Sequence, residues 1–85
     1  MSQSQITMYS ADWCADCRRS KRLMDELNVE YTIIDVENDE AAADKVREIN
    51  GGEHVIPVIV FADGSHLTEP SDIDLKAKLG AMGII

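Results

Sequence analysis

The chain has 85 residues, 45% of them apolar and 28% charged, with 16 acids against 8 bases and a net charge of −8. One domain of this length buries about two-thirds of its unfolded surface, a modest core that needs no staples, and the acidic balance speaks against nucleic acid, which requires a basic surface or stripe. No apolar run approaches the ~18 residues of a membrane span, and the start Met1-Ser2-Gln3-Ser4-Gln5 lacks the basic and apolar regions of a secretory signal, so a cytoplasmic protein is expected, and at this size and charge a monomer.

Gln5 to Tyr9 is short, alternating and β-prone, and predicts a first strand. From Cys14 to Asn28 the apolar residues Leu23, Met24 and Leu27 fall at helical spacing, with Asn28 as the stop. Glu30 to Val36 is nearly all β-branched or aromatic and predicts a second strand. Asn38 or Asp39 can cap a second helix with Ala42, Val46 and Ile49 along one face, ended by Asn50-Gly51-Gly52. Val55 to Phe61 is the most apolar run and suits a central strand, with Pro57 near its start because proline cannot donate to a ladder. Asp63-Gly64 signals a hairpin into Ser65 to Thr68. Pro70 stops that strand, and Ser71 caps a last helix whose Leu75, Leu79 and Met82 face inward.

The order β-α-β-α-β-β-α begins as a right-handed βαβ unit with a parallel pair and closes with a hairpin. The expected α/β architecture is a four-stranded mixed sheet with three helices on both faces, in a single domain spanning residues 1–85.

The two cysteines of the chain, Cys14 and Cys17, stand three residues apart where the first strand gives way to the first helix. In a reducing compartment such a pair is catalytic or metal-binding more often than structural. Disulfide exchange needs a thiolate, a reachable target sulfur and a second thiol to release the mixed disulfide. At a helix start, residues i and i+3 share a face, so Cys17 can reach the sulfur of Cys14. The unpaired amides and positive dipole end favour a thiolate at Cys14. Cys14 is thus the expected nucleophile and Cys17 the more buried resolving thiol. Arg18, one turn after Cys14, adds positive potential, whereas the carboxylate of Asp16 opposes a thiolate beside it. Trp13 is expected as an apolar wall beside the cysteines. Arg18, Arg19, Lys21 and Arg22 hold half the bases of the chain and form either a solvated face or a docking face. His54 is expected to add loop polarity, with a place bordering the site as the alternative; His66 should point outward on the hairpin.

Trp13-Cys14-Ala15-Asp16-Cys17, the later Val55-Ile56-Pro57, and the hairpin followed by Thr68-Glu69-Pro70-Ser71-Asp72 together resemble the thioredoxin superfamily in its glutaredoxin branch. Asn50-Gly51-Gly52 before Ile56-Pro57, and Phe61-Ala62-Asp63-Gly64-Ser65 running on to Pro70-Ser71, are most similar to mycoredoxins, which use mycothiol in place of glutathione. Small redoxins that feed ribonucleotide reductase come second. The resemblance implies a thioredoxin fold and a thiol–disulfide oxidoreductase acting on disulfide-containing or S-thiolated client proteins. It implies no bound cofactor, a small thiol (mycothiol or glutathione) as co-substrate, and a thioredoxin-reductase-like flavoprotein as an alternative electron source. It also implies a cis Pro57 that presents the Ile56 backbone to substrate, and a ligand-binding role for Ser71 and Asp72 at the last helix start.

The chain departs from the branch in three places. Ala15-Asp16 replaces Pro-Tyr between the cysteines, Ala11-Asp12 stands where a basic residue is common, and Thr68-Glu69-Pro70-Ser71-Asp72 replaces a Gly-Gly-x-Asp-Asp turn. The last two disfavour glutathione, whose two carboxylates need positive or amide partners; the sugar end of mycothiol is uncharged. Outside redox chemistry, a structural zinc site would need four ligands, and Cys14, Cys17, His54 and His66 supply them only if both histidines converge. An iron–sulfur cluster shared between two copies through Cys14 is the other metal alternative.

Overall fold

A computed structural model describes residues 6–85. Seven elements follow in the expected order: β1 Ile6–Ser10, α1 Ala15–Glu26, β2 Thr32–Asp35, α2 Glu40–Ile49, β3 Val58–Phe61, β4 His66–Thr68 and α3 Asp72–Ala81. Gln5, assigned to the first strand from sequence, lies outside the described residues. The strands form one mixed sheet in the order β2-β1-β3-β4. β1 runs parallel to β2 with Thr7 opposite Thr32, and antiparallel to β3 with Met8 opposite Ile59. β3 runs antiparallel to β4 with Ile59 opposite Leu67.

Adjacent residues of β3 point to opposite faces of the sheet. Both Val58 and Ile59 are fully buried, so both faces of the sheet are covered. α1 and α3 pack against one another. Their buried residues, Cys17, Ser20 and Met24 on α1 and Leu75 and Leu79 on α3, recur at three- and four-residue spacing. α2 buries Ala42, Ala43 and Val46 by the same rule.

Each helix starts on a side chain that accepts an N–H three residues on: Cys14 for α1, Asp39 for α2 and Ser71 for α3. Each also ends in one pattern of paired reverse bonds. At α2, Gly52 N–H donates to the Arg47 carbonyl and Gly51 N–H to that of Glu48, with Gly51 at φ 72°. Asn28 does the same for α1 at φ 57°, where Val29 N–H donates to Met24 and Asn28 N–H to Asp25. Asparagine tolerates this left-handed geometry better than other side chains, which is why Asn28 read as a stop.

Several boundaries differ from the sequence expectation, and three of them have a clear cause. α1 begins at Ala15, with Cys14 outside it as the cap. β2 begins at Thr32, because Val29 closes the preceding helix and Glu30 and Tyr31 make the return. β3 begins at Val58, after Pro57, where ladder donors become available.

Two serines give opposite expectations. The Ser71 hydroxyl caps α3 by accepting the Asp74 N–H at 3.1 Å, so Ser71→Ala should cost about 1 kcal/mol in denaturant unfolding. Ser20 is fully buried, and its Oγ has no hydrogen-bond partner among the described residues. Ser20→Ala should therefore stabilise the fold by about 1 kcal/mol. Equal destabilisation by the two would contradict this assignment.

Candidate active site

The start of α1 is built around sulfur. Cys14 has extended backbone, at φ −83° and ψ 111°, and its Sγ accepts the Cys17 N–H at 3.1 Å. This is the bond that serine or aspartate makes at an ordinary helix cap, and a thiolate accepts it more strongly than a neutral thiol. Asp16, in the first turn, adds the carboxylate that helix starts favour. Across from the pair, the Ile56–Pro57 peptide bond is cis and the Ile56 carbonyl oxygen lies 4.0 Å from Cys14 Sγ.

The two thiols are unbonded, and both are buried, Cys14 at 6% exposure and Cys17 at 2%. Burial pushes the Cys17 thiol up to about 12 from an ordinary 9.0. Hydrogen bonding to Cys14 and the charges of Cys14 and Asp16 act in the same direction, while a hydrogen bond with the Ala11 backbone opposes them. Cys17 is consequently a proton-bearing donor at neutral pH.

Cys14 opens onto a groove of about 380 Å³. Trp13, Ala15 and Asp16 form its helix side, His54, Val55 and Ile56 its loop side, and Glu69 completes it. Trp13 is 63% exposed, a wall and not a core anchor, and its indole N–H donates to the Glu37 carboxylate. His54 borders the groove, the alternative given for it above. His66 is exposed on β4 and does not line the groove. Ser71 and Asp72 do not line the groove; Ser71 caps α3 and Asp72 meets Arg19 Nε at 3.4 Å. The Arg18 guanidinium donates to the Asp12 carbonyl at 2.6 Å and so braces the loop before Cys14.

Three contributors escaped the sequence reading. The Asn50 side chain donates to the Val55 carbonyl at 3.0 Å and accepts from the Thr68 hydroxyl at 2.8 Å. It thereby ties the loop before Pro57 to β4. Arg19 reaches Asp16 at 3.0 Å, Asp72 at 3.4 Å and the Pro70 carbonyl at 3.3 Å, joining the linker between the cysteines to the start of α3. Glu69 has φ 46°, left-handed backbone that glycine adopts more readily, and its N–H donates to the Pro57 carbonyl at 2.9 Å. Asn50 read as a helix end and as part of a mycoredoxin-like segment, and Arg19 as one base in a run; neither local pattern shows the partners at Thr68, Pro70 and Asp72. A second hollow, of about 290 Å³, reaches Cys17 from another side, between Ser10, Arg18, Lys21 and Ile33. Among the described residues no group of three or more His, Cys, Asp or Glu stands close enough to hold a metal ion, and no helix is long and apolar enough to cross a membrane.

The glutaredoxin family profile matches residues 6–67, which include the cysteine pair, Ile56-Pro57 and most of the sheet. The chain belongs to the glutaredoxin family. A glutaredoxin-like relative in Mycobacterium tuberculosis is 40% identical over 79 residues, covering 93% of this chain and 94% of its own. Mycoredoxin 1 of Corynebacterium glutamicum is 37% identical over 79 residues, covering 93% and 98%. Among solved structures, a mutant of the thioredoxin-like protein BC3987 superposes with a TM-score of 0.76 at 26% identity, covering 87% of this chain and 97% of that one. This glutaredoxin is accordingly a thiol–disulfide oxidoreductase with the thioredoxin fold.

The proton on Cys17 is open to measurement. In Cys14→Ser the neighbouring sulfur and its charge are gone while burial persists, so Cys17 should titrate below about 12 but still above 9.0 by thiolate absorbance. Because the folded value is raised, Cys17 contributes stability that is full below pH 9 and declines as pH rises towards 12. A Cys17 that ionises at its ordinary value in the wild type would refute this.

Proposed function

We propose that the protein reduces mixed disulfides between client proteins and a low-molecular-weight thiol, with Cys14 as attacking sulfur, Cys17 as resolving thiol and mycothiol favoured over glutathione. The observation that carries the proposal is the donation of the Cys17 amide to Cys14 Sγ, beside a second thiol that keeps its proton. The Cys14 thiolate attacks the small-thiol sulfur of an S-thiolated protein. A new S–S bond forms to Cys14, the old one breaks, and the client leaves as a thiolate that takes up a proton. In the monothiol route a second molecule of small thiol attacks the Cys14 mixed disulfide and leaves as the small-thiol disulfide, regenerating Cys14. In the dithiol route Cys17 gives up its proton and attacks Cys14. The small thiol departs and a Cys14–Cys17 disulfide remains, to be reduced by two thiols or by a thioredoxin-reductase-like flavoprotein.

The groove supports the choice of thiol. Its wall contains Asp16 and Glu69 and no lysine or arginine to meet the two carboxylates of glutathione. The similarity to Mycoredoxin 1 points the same way. In this reading Trp13 flanks the bound disulfide, the Ile56 backbone beside cis Pro57 pairs with it, and the far end of the thiol extends towards the α3 start at Ser71 and Asp72.

Turnover of a protein mixed disulfide should be faster with mycothiol than with glutathione or with thioredoxin reductase. Cys14→Ser should lose at least ~100-fold, the scale of removing a positioned reacting group, while Cys17→Ser keeps dethiolation. Equal loss in both variants would favour the dithiol route. Retained activity in Cys14→Ser would reject the assignment.

A further inference from the structure

Resting on the reading that this groove receives the non-sulfur end of a small thiol, we propose that Glu69 sets its specificity, rejecting anionic disulfides and accepting hydroxyl-rich or cationic ones. The two carboxylates of the groove are not equivalent. Asp16 is paired with Arg19 at 3.0 Å, and the same guanidinium is held from the other side by Asp72 and the Pro70 carbonyl. Its charge is partly offset before a ligand arrives. Glu69 is exposed and has no cationic partner among the described residues.

Its backbone is also held in place. The Glu69 N–H donates to the Pro57 carbonyl at 2.9 Å, next to the cis peptide that faces Cys14. A non-glycine residue at φ 46° is sterically disfavoured, and such residues persist where the surroundings hold them; they concentrate at ligand sites. A carboxylate is an acceptor of several lone pairs with no donor. It can accept hydrogen bonds from neighbouring hydroxyls or pair with an ammonium group, and it repels another carboxylate. With a net charge of −8 the rest of the chain gives an anion no long-range compensation. Glu69 is therefore a specificity-determining residue acting on ligand charge, without a part in sulfur exchange.

Three symmetric disulfides of similar size separate charge from shape: cystamine (cationic), bis(2-hydroxyethyl) disulfide (neutral) and 3,3′-dithiodipropionate (anionic). The wild-type chain should rank them in that order by kcat/KM. Glu69→Gln, which keeps size and backbone demand, should raise the anionic-to-neutral ratio by about three- to tenfold, chiefly through KM and less at high salt. Glu69→Gly should raise it equally, with no loss of stability, because glycine accepts the backbone. Asp16→Asn should move the ratio less than Glu69→Gln, and Arg19→Gln, by freeing the Asp16 charge, should lower it. An unchanged ratio in both Glu69 variants, a larger effect at Asp16, or no ranking in the wild type would each overturn the proposal. Its failure is separable from failure of the mycothiol reading. A shifted ratio in a protein that ignores mycothiol leaves the charge filter standing, and an unshifted ratio in a mycothiol-using protein removes only the filter.

Discussion

The site depends on one hydrogen bond, from the Cys17 amide to Cys14 Sγ. It is at once the cap that starts α1 and the donor that holds the Cys14 sulfur. A helix leaves its first amides without intrahelical partners, and here one of them is satisfied by sulfur in place of the usual oxygen. The consequences follow from helical geometry. The second cysteine falls on the same face and is carried into the core, where desolvation keeps it protonated. Folding and the difference between the two sulfurs are therefore one arrangement: α1 cannot start here without distinguishing them.

The second requirement is a wall for the sulfur to face. It comes from the chain around Pro57, and its placement is a matter of side-chain hydrogen bonds more than of apolar packing. Asn50 follows α2 as its C-cap and its amide holds the Val55 carbonyl, while its oxygen takes the Thr68 hydroxyl. The Glu69 amide then meets the Pro57 carbonyl just beyond. One helix end, one loop and one edge strand are thus fastened within a few ångströms, and Ile56, Pro57 and Val58 bury their side chains beneath them. A groove floor built this way is buried and hydrogen-bonded, while its rim, at Trp13, His54 and Glu69, remains exposed.

How much of this the sequence discloses depends on whether the signal is local. Period, caps and breakers are local: Asn28, Asp39, Ser71 and the Asp63-Gly64 turn each act on backbone within a few residues, and each element they bound is present. The cysteine spacing is local too, and with Ile56-Pro57 it led to the family. Boundaries were less legible. Glu30 and Val55 have side chains that suit or tolerate a strand, but neighbouring helix closure and the proline withhold ladder partners. The long-range polar contacts were not legible at all. Arg19 sits in a run of four bases whose members have unlike fates: Arg18 braces a loop carbonyl, Arg19 spans to α3, and Lys21 and Arg22 face outward. Composition cannot sort them, because each fate is decided by what the fold brings opposite.

The departures from the family pattern become intelligible together. Placing Asp16 between the cysteines sets a negative charge beside both sulfurs, and its influence on Cys17 is visible. Arg19, three residues on, lies where a helix brings side chains into contact, and it takes that carboxylate while also reaching Asp72. Both partners are about half exposed, so solvent screens the pair and its worth to stability is small. Its importance lies in local field and geometry: one guanidinium offsets the linker charge and ties the motif to the turn that carries Glu69 and Pro70. Substituting the linker alone thus changes three things together: the field at the sulfurs, the hold on α3, and the contrast between the two groove carboxylates. In this chain the linker and the turn after β4 act as a single electrostatic unit, although more than fifty residues of sequence separate them.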